Sequence, residues 1–267
     1  MILRINKWLL ILLLLLTVSC NLSRNNAFSF VQMCDPQLGM GGYEHDLETL
    51  RQAVEQINAL DCDFVVICGD LVHHASDSSY ADFLDITKGF LMPLYLLAGN
   101  HDVGNVPNDT TLKYYREKIG KDYYAFEHKG YGFIITNTQL WKNHVGDESE
   151  LHDRWFKNIL GEMGEEQLPV FVAGHHPFFI KDVEEDEEYS NLPTKIRQEL
   201  LELFVSNHVV AYLSGHRHET LLNSYENIQL ISGETTSKNF DGRALGFRQW
   251  DVSGDSIVQH YVRLETN

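Results

Sequence analysis

FSFVQMCDPQLGMGGYEHDLETLRQAVEQINALDCDFVVICGD, residues Phe28–Asp70, sets the architecture. It opens on an apolar run, Phe28 to Cys34. Tyr43 to Leu60 follows, with Leu47, Leu50, Val54, Ile57 and Leu60 at helical spacing, and then Phe64 to Cys68, apolar and β-branched. Two short apolar runs joined by one amphipathic helix make a βαβ unit. Strand-helix-strand units imply right-handed crossovers and parallel pairing.

The rhythm continues outward. A helix is expected near Tyr80–Phe90 and a strand at Leu94–Ala98. Further on come a helix at Leu151–Met163, a strand at Pro169–Ala173, a helix at Thr194–Ser206 and a strand at Val209–Ser214. Two stretches break the alternation and read as antiparallel hairpins or meanders: Tyr123–Asn137, turning at Lys129–Gly130, and Ile228–Leu264, turning at Gly254–Asp255. The fold class is therefore α/β, with two mixed β-sheets packed face to face as a β-sandwich and helices outside, a four-layer αββα arrangement.

The N-terminus is a different material. Arg4 and Lys7 precede the apolar run Trp8–Leu16, which ends in Thr17-Val18-Ser19-Cys20. The run is shorter than the roughly 20 apolar residues of a spanning helix and reads as an export signal over residues 1–19. Small residues ending in a cysteine resemble the lipobox of bacterial lipoproteins, which makes Cys20 a lipidation site and residues 20–27 a tether to a domain at 28–267. The protein is then exported and held to a membrane by lipid, or is soluble in the periplasm if Cys20 stays unmodified.

Loss of Arg4 and Lys7 moves the formal charge from −17 to −19, which excludes nucleic acid as a partner. Of four cysteines, three remain if Cys20 carries lipid, so a disulfide-built fold is not expected; Cys34 and Cys68, at the ends of two neighbouring strands, read as buried thiols, with a disulfide between them as the alternative. The acidic run Asp182–Glu188 reads as a solvated loop.

Polar residues gather where the strands end. Asp35 and Gln37 follow the first strand, Asp70 the second, and Asn100, His101 and Asp102 the third. His175 and His176 follow the strand after the long helix, and His216, Arg217 and His218 the next. Ligands of α/β sheets bind at carboxyl ends of strands, so these loops should meet in one crevice. The chain has thirteen histidines, so no single one is informative, but the ordered set of blocks is.

Asp35-Pro36-Gln37, Gly69-Asp70, Gly99-Asn100-His101-Asp102, Gly174-His175-His176 and Gly215-His216-Arg217-His218 resemble the five signature blocks of the calcineurin-like metallophosphoesterase superfamily. The first block usually carries histidine where Gln37 stands. That departure, with Cys68–His73, Gly99–Asn105 and the acidic run before Tyr189 and Asn191, resembles the calcineurin-like phosphoesterase domain-containing protein 1 subgroup. Its members are regarded as serine/threonine-type phosphatases.

The resemblance implies hydrolysis of phosphate esters, most simply phosphomonoesters on a phosphorylated substrate such as a phosphoprotein, by in-line attack of a metal-activated hydroxide. A phosphodiesterase on the same core is the alternative, and a surface binding protein without chemistry a more distant one. The resemblance also implies one metal on Asp35, Gln37, Asp70 and His218, and a second on Asp70, Asn100, His175 and His216. Asp70 would bridge the two. His101, oriented by Asp102, would be the catalytic histidine, with Asn100, His101 and His73 touching substrate. Two dications outweigh two carboxylates, so an acidic chain acquires a cationic floor. The amide oxygen of Gln37 favours a harder ion, pointing to manganese or iron, with magnesium or zinc also compatible. Asn137, at a strand end, is expected to orient a ligand.

Overall fold

The computed structural model describes residues 27–265. The expected export signal and Cys20 lie outside them. Among the described residues no helix is long and apolar enough to cross a membrane.

Two sheets form the body. One has the order β11-β10-β1-β2-β3, from Phe28–Met33 (β1), Phe64–Ile67 (β2), Leu94–Leu96 (β3), Gly246–Ser253 (β10) and Ser256–Arg263 (β11). The other has the order β4-β5-β6-β7-β9-β8, from Tyr124–His128 (β4), Tyr131–Ile135 (β5), Val170–Ala173 (β6), Val209–Ser214 (β7), Leu221–Tyr225 (β8) and Ile228–Ser232 (β9). Strands β1, β2 and β3 run parallel, as do β5, β6, β7 and β9.

Strand β1 is buried on both faces, which is why its apolar run is nearly continuous. Phe28 and Phe30 point into the sandwich, where Phe30 stacks on Phe64 with centroids 5.0 Å apart and meets the Phe133–Phe171 stack edge-on. Val31 and Met33 point outward against helices Tyr43–Asn58 (α1) and Asp77–Thr87 (α2). The far sheet packs its outer face on Gly146–Glu165 (α6) and Thr194–Ser206 (α7), completing four layers. Gln32 is the polar exception between the sheets: its amide donates to the carbonyls of Ser214 (3.0 Å) and Ile231 (3.1 Å) and accepts from Trp250 Nε1 (3.0 Å). With its donors and acceptor satisfied, it locks the relative position of the sheets at little net cost.

Helices Asn100–Val103 (α3), Asp109–Lys118 (α4) and Gln139–Lys142 (α5) complete the chain and were not legible in its periodicity. The expected meander from Ile228 to Leu264 divides. Strand β9 pairs in parallel with β7 and antiparallel with the unforeseen β8, whereas β10 and β11 form a hairpin in the other sheet. Residues 233–245 must therefore cross between the sheets. They do so over the carboxyl ends of β1 and β7, with Thr235 bridging to Cys34. Cys34 and Cys68 are free, buried thiols just beyond β1 and β2.

Candidate metal centre

Five of the seven sequence-selected ligands have left-handed backbones: Asp35 (φ 47°), Gln37 (33°), Asp70 (48°), His216 (70°) and His218 (53°). Each costs roughly 1–2 kcal/mol in a residue with a Cβ. The surroundings hold them there. The Asp35 carboxylate accepts the His216 N–H at 3.0 Å, and its carbonyl accepts the hydroxyls of Thr235 (2.7 Å) and Ser237 (2.9 Å). Gln37 N–H donates to the Asp70 carbonyl (2.9 Å), and Asp70 Oδ1 accepts the His101 N–H (2.8 Å). A Cβ on Gly99 would fall 2.1 Å from Asp70 Oδ1, and one on Gly215 2.5 Å from Asp35 Oδ2, so both motif glycines make room for carboxylates.

The side chains form two adjoining groups. His175 Nε2 lies 3.0 Å from Asn100 Oδ1, 3.2 Å from His216 Nδ1 and 3.3 Å from Asp70 Oδ1. His175 Nδ1 is 2.8 Å from the Cys68 carbonyl, which can only accept. That nitrogen carries the proton, and in the neutral ring Nε2 presents a lone pair to the cluster. Asn100 is turned by its amide nitrogen, which donates to Asn105 Oδ1 and the Tyr189 hydroxyl, both at 3.0 Å, leaving Oδ1 to face inward. In the second group His218 Nδ1 donates to the Lys238 carbonyl (2.6 Å), and Nε2 faces Asp35 Oδ1 at 3.9 Å. Gln37 Nε2 is 3.3 Å from His73 Nδ1, while its Oε1 is buried with no partner among the described residues. Lone pairs pointed at one another and an orphaned amide oxygen are what cations would satisfy. Asp35, Asp70 and His175, and separately His175, His176 and His216, offer ligand atoms close enough to share an ion.

Asp35 and Asp70 are 0% and 1% exposed, so the rings beside them must balance their charge. Burial alone would raise Asp70, but the neighbouring His175 ring outweighs it and holds the carboxyl well below its usual range. Burial likewise opposes protonation of His175, yet Asp70 and Asp35 push the ring up to about 10. Burial raises Asp35 to about 6 despite His218 and His175 nearby. His216 stays neutral, driven well below its ordinary value by burial and by His175.

His101 Nδ1 donates to the His73 carbonyl (2.8 Å), and its ring stacks on that of His73 with centroids 4.7 Å apart. Its Nε2 has no partner among the described residues. The expected pairing of His101 with Asp102 does not occur. Asp102 is buried and points the other way, accepting the N–H groups of Leu71 (3.2 Å) and Gly99 (2.8 Å), so it pins the loop before α3 and leaves the ring to His73. Burial, then the charge of Asp70, pushes Asp102 up to about 8. His73, expected at the substrate, here orients both Gln37 and His101. The expectation for Asn137 is also corrected: its amide binds Asp122 (3.0 Å) and the Gln139 N–H (3.1 Å), away from the cluster. Its neighbour Thr138 does the supporting, its hydroxyl accepting the backbone N–H groups of His175 (3.3 Å) and His176 (3.2 Å). His176 is buried, its ring 4.0 Å from that of His216, and His74 is exposed. Sequence reading gave no role to Asn105, the last residue of the Gly99–Asn105 stretch, and missed Thr138, Thr235, Ser237 and the Lys238 carbonyl, which lie outside every motif.

A two-sheet αββα sandwich whose strand ends gather carboxylates, amides and imidazoles close enough to share cations defines a metal-dependent hydrolase. The chain belongs to the calcineurin-like phosphoesterase family, whose model matches residues 28–220. It is 31% identical to rat (Rattus norvegicus) serine/threonine-protein phosphatase CPPED1 over 89% of this chain and 84% of that protein, which sets it in the CPPED1-like subgroup. A probable cyclic nucleotide phosphodiesterase of Ruthia magnifica is 25% identical over 84% of this chain and 93% of its own. Among solved structures, a dimetal phosphatase from Danio rerio superposes with a TM-score of 0.67 at 16% identity, covering 88% of this chain and 95% of that one. The protein is a metal-dependent phosphoesterase, and its family works with dinuclear metal centres.

Proposed function

We propose that the protein is a phosphomonoesterase of the phosphoprotein serine/threonine type. One ion would be held by Asp35, Gln37, Asp70 and His218, and the other by Asp70, Asn100, His175 and His216. When bound, the ions supply Lewis acidity toward the phosphoryl oxygens and an activated water. The chain's own residues do the rest. The His73 carbonyl fixes the tautomer of His101, so that Nε2 is the nitrogen free to carry a proton to the departing oxygen. Asn105 and Tyr189 hold the Asn100 carbonyl inward, and Thr138 and Cys68 hold His175 in register. The observation that carries the reading is the His101 ring, its Nδ1 tied to the His73 carbonyl and its Nε2 without a partner among the described residues, on a residue whose backbone N–H is bonded to Asp70. The resemblance to CPPED1 favours monoesters, and the weaker one to a phosphodiesterase makes diesters the second reading.

A proton donor matters most when the leaving oxygen is basic. His101→Ala should therefore slow turnover of phosphoserine by roughly 100- to 10,000-fold. Nitrophenyl phosphate, whose leaving group needs no proton, should suffer far less, and metal content should stay intact. Equal losses on both substrates would refute proton donation, and wild-type turnover confined to bis(nitrophenyl) phosphate would refute the monoester assignment. We also infer export through residues 1–19 and lipid anchoring at Cys20, supported by the basic, apolar and small-residue order of that segment.

A further inference from the structure

Two large apolar side chains stand exposed at the mouth of the cluster. Tyr189 is 57% exposed, with its ring 5.0 Å from that of His216 and its hydroxyl on the Asn100 amide. Phe240 is 51% exposed, and it stacks on His218 with centroids 4.9 Å apart and planes 20° apart. Neither ring is a loosely attached surface residue. Tyr189 is fixed through its hydroxyl, and Phe240 through its backbone N–H, which donates to the His218 carbonyl at 2.8 Å. One ring therefore lies beside each donor set.

The polar groups nearby offer a substrate little more than the cluster does. Arg217, between the two histidines, is engaged by Glu219 and by the Ser190 hydroxyl (3.1 Å), and Lys142 donates to the carbonyls of Glu188 and Asn191, both at 2.7 Å. The organic part of a bound phosphoester thus meets two rings and one exposed cation, Lys238, whose ammonium lies 5.8 Å from the centre of the Phe240 ring. Burial of an aromatic face against an apolar group is favourable by area and by ring geometry, and two fixed rings lose little entropy on contact. A ligand touching both rings must extend to both sides of its phosphate. A sugar or nucleoside phosphate, with its phosphate at one end, does not, whereas a chain phosphorylated in its middle does.

Building on the phosphomonoesterase reading, we propose that Tyr189 and Phe240 form a two-sided aromatic rim that selects phosphopeptide segments with apolar or aromatic residues flanking the phosphorylated serine. The rings determine specificity and take no part in the chemistry.

The test uses manganese-loaded protein and two phosphoserine peptides, identical except for phenylalanine or alanine on either side of the phosphoserine. Wild type should favour the phenylalanine peptide about tenfold in kcat/KM, the size of one good aromatic contact. Phe240→Ala and Tyr189→Ala should each bring that ratio down severalfold, whatever happens to the absolute rates, with metal content measured alongside because both rings touch candidate ligands. Tyr189→Phe, which keeps the ring and loses the bond to Asn100, should retain the preference. A wild-type ratio near one, or a ratio unmoved in both alanine variants at full metal content, overturns the proposal. Absence of turnover on either peptide, with bis(nitrophenyl) phosphate cleaved, overturns the monoester reading and the rim proposal together, and is told apart by the missing phosphoserine activity.

Discussion

Metal should enter this centre by displacing a proton from His175. In the metal-free protein the two buried carboxylates hold that ring protonated up to about pH 10, the shift arising against burial from Asp70 and Asp35. Coordination through Nε2 needs the neutral ring. At pH 7 the proton lies roughly three units below its release, so displacing it costs about 4 kcal/mol and weakens apparent affinity roughly a thousandfold. Affinity should rise about tenfold per pH unit from 6.5 to 8.5. Titration of metal-free protein with manganese in buffers of different ionisation enthalpy should count about one proton released per centre. The count should grow toward two below about pH 6, where Asp35 is also protonated. The signs for stability follow from the same shifts. His175 is raised, so its contribution to the metal-free fold is full below its ordinary value of about 6.5 and is lost as pH rises through about 10. Asp35, also raised, stops contributing as pH rises through about 6. Asp70, held low, acts with the opposite sign only below its ordinary value near 3.8. His216, His176 and His152, all held low by burial, act with the opposite sign, their contribution rising with pH up to the ordinary value near 6.5. The metal-free melting temperature should therefore fall from about pH 7.5 to 9, where His175 alone of these groups still titrates, while the increment from added manganese grows. Binding with no proton release and no pH dependence over 6.5–8.5 would show that His175 is neutral before metal arrives, or is not a ligand.

Gln37→His replaces the orphaned amide oxygen with an imidazole nitrogen and should move occupancy in a manganese, iron and zinc competition toward zinc or iron; identical occupancy in both proteins would remove Gln37 from the ligand set. Thr138→Val strips an acceptor from two buried N–H groups and should cost about 1–3 kcal/mol in denaturant unfolding, with weaker metal retention; unchanged stability would mean that those amides find another partner. Cys20→Ala, expressed in a bacterial host, should release the protein from the membrane fraction; undiminished attachment would point to an uncleaved helix.

The parallel strands and the amphipathic helices were legible because each is a local statement: β1, β2, β6 and β7 are short apolar runs buried on both faces, and α1 carries its buried residues at turns of the helix. The seven candidate ligands were legible as motif blocks. What escaped was long-range. The segment at 233–245 has no periodicity to betray a crossing between sheets, yet Thr235, Ser237 and Lys238 hold Asp35 and His218 from it. Asp102 misled for the opposite reason. Adjacency to His101 suggested a pair, but successive residues in a helical turn point about 100° apart, and the carboxylate faces the amides of Gly99 and Leu71 instead.

The left-handed residues connect the motif letters to the fold. A ligand set within four residues of a strand's end must come from a sharp turn, or the chain would carry the side chain past the site. A left-handed residue makes that turn, and glycine, which adopts it most easily, has no donor to offer. Aspartate, asparagine and histidine are the side-chain-bearing residues most enriched there, and they also supply carboxylate, amide and imidazole donors. At Asp35, Asp70, His216 and His218 one residue therefore has to meet both demands, whereas Asn100 and His175, not among the left-handed residues, are placed by α3 and by β6 with Thr138. Replacing a left-handed ligand by glutamate or leucine consequently costs backbone energy as well as a donor. Gln37, the least suited of the five to that conformation, has its backbone N–H on Asp70 and its amide on His73, and those bonds hold its oxygen in place.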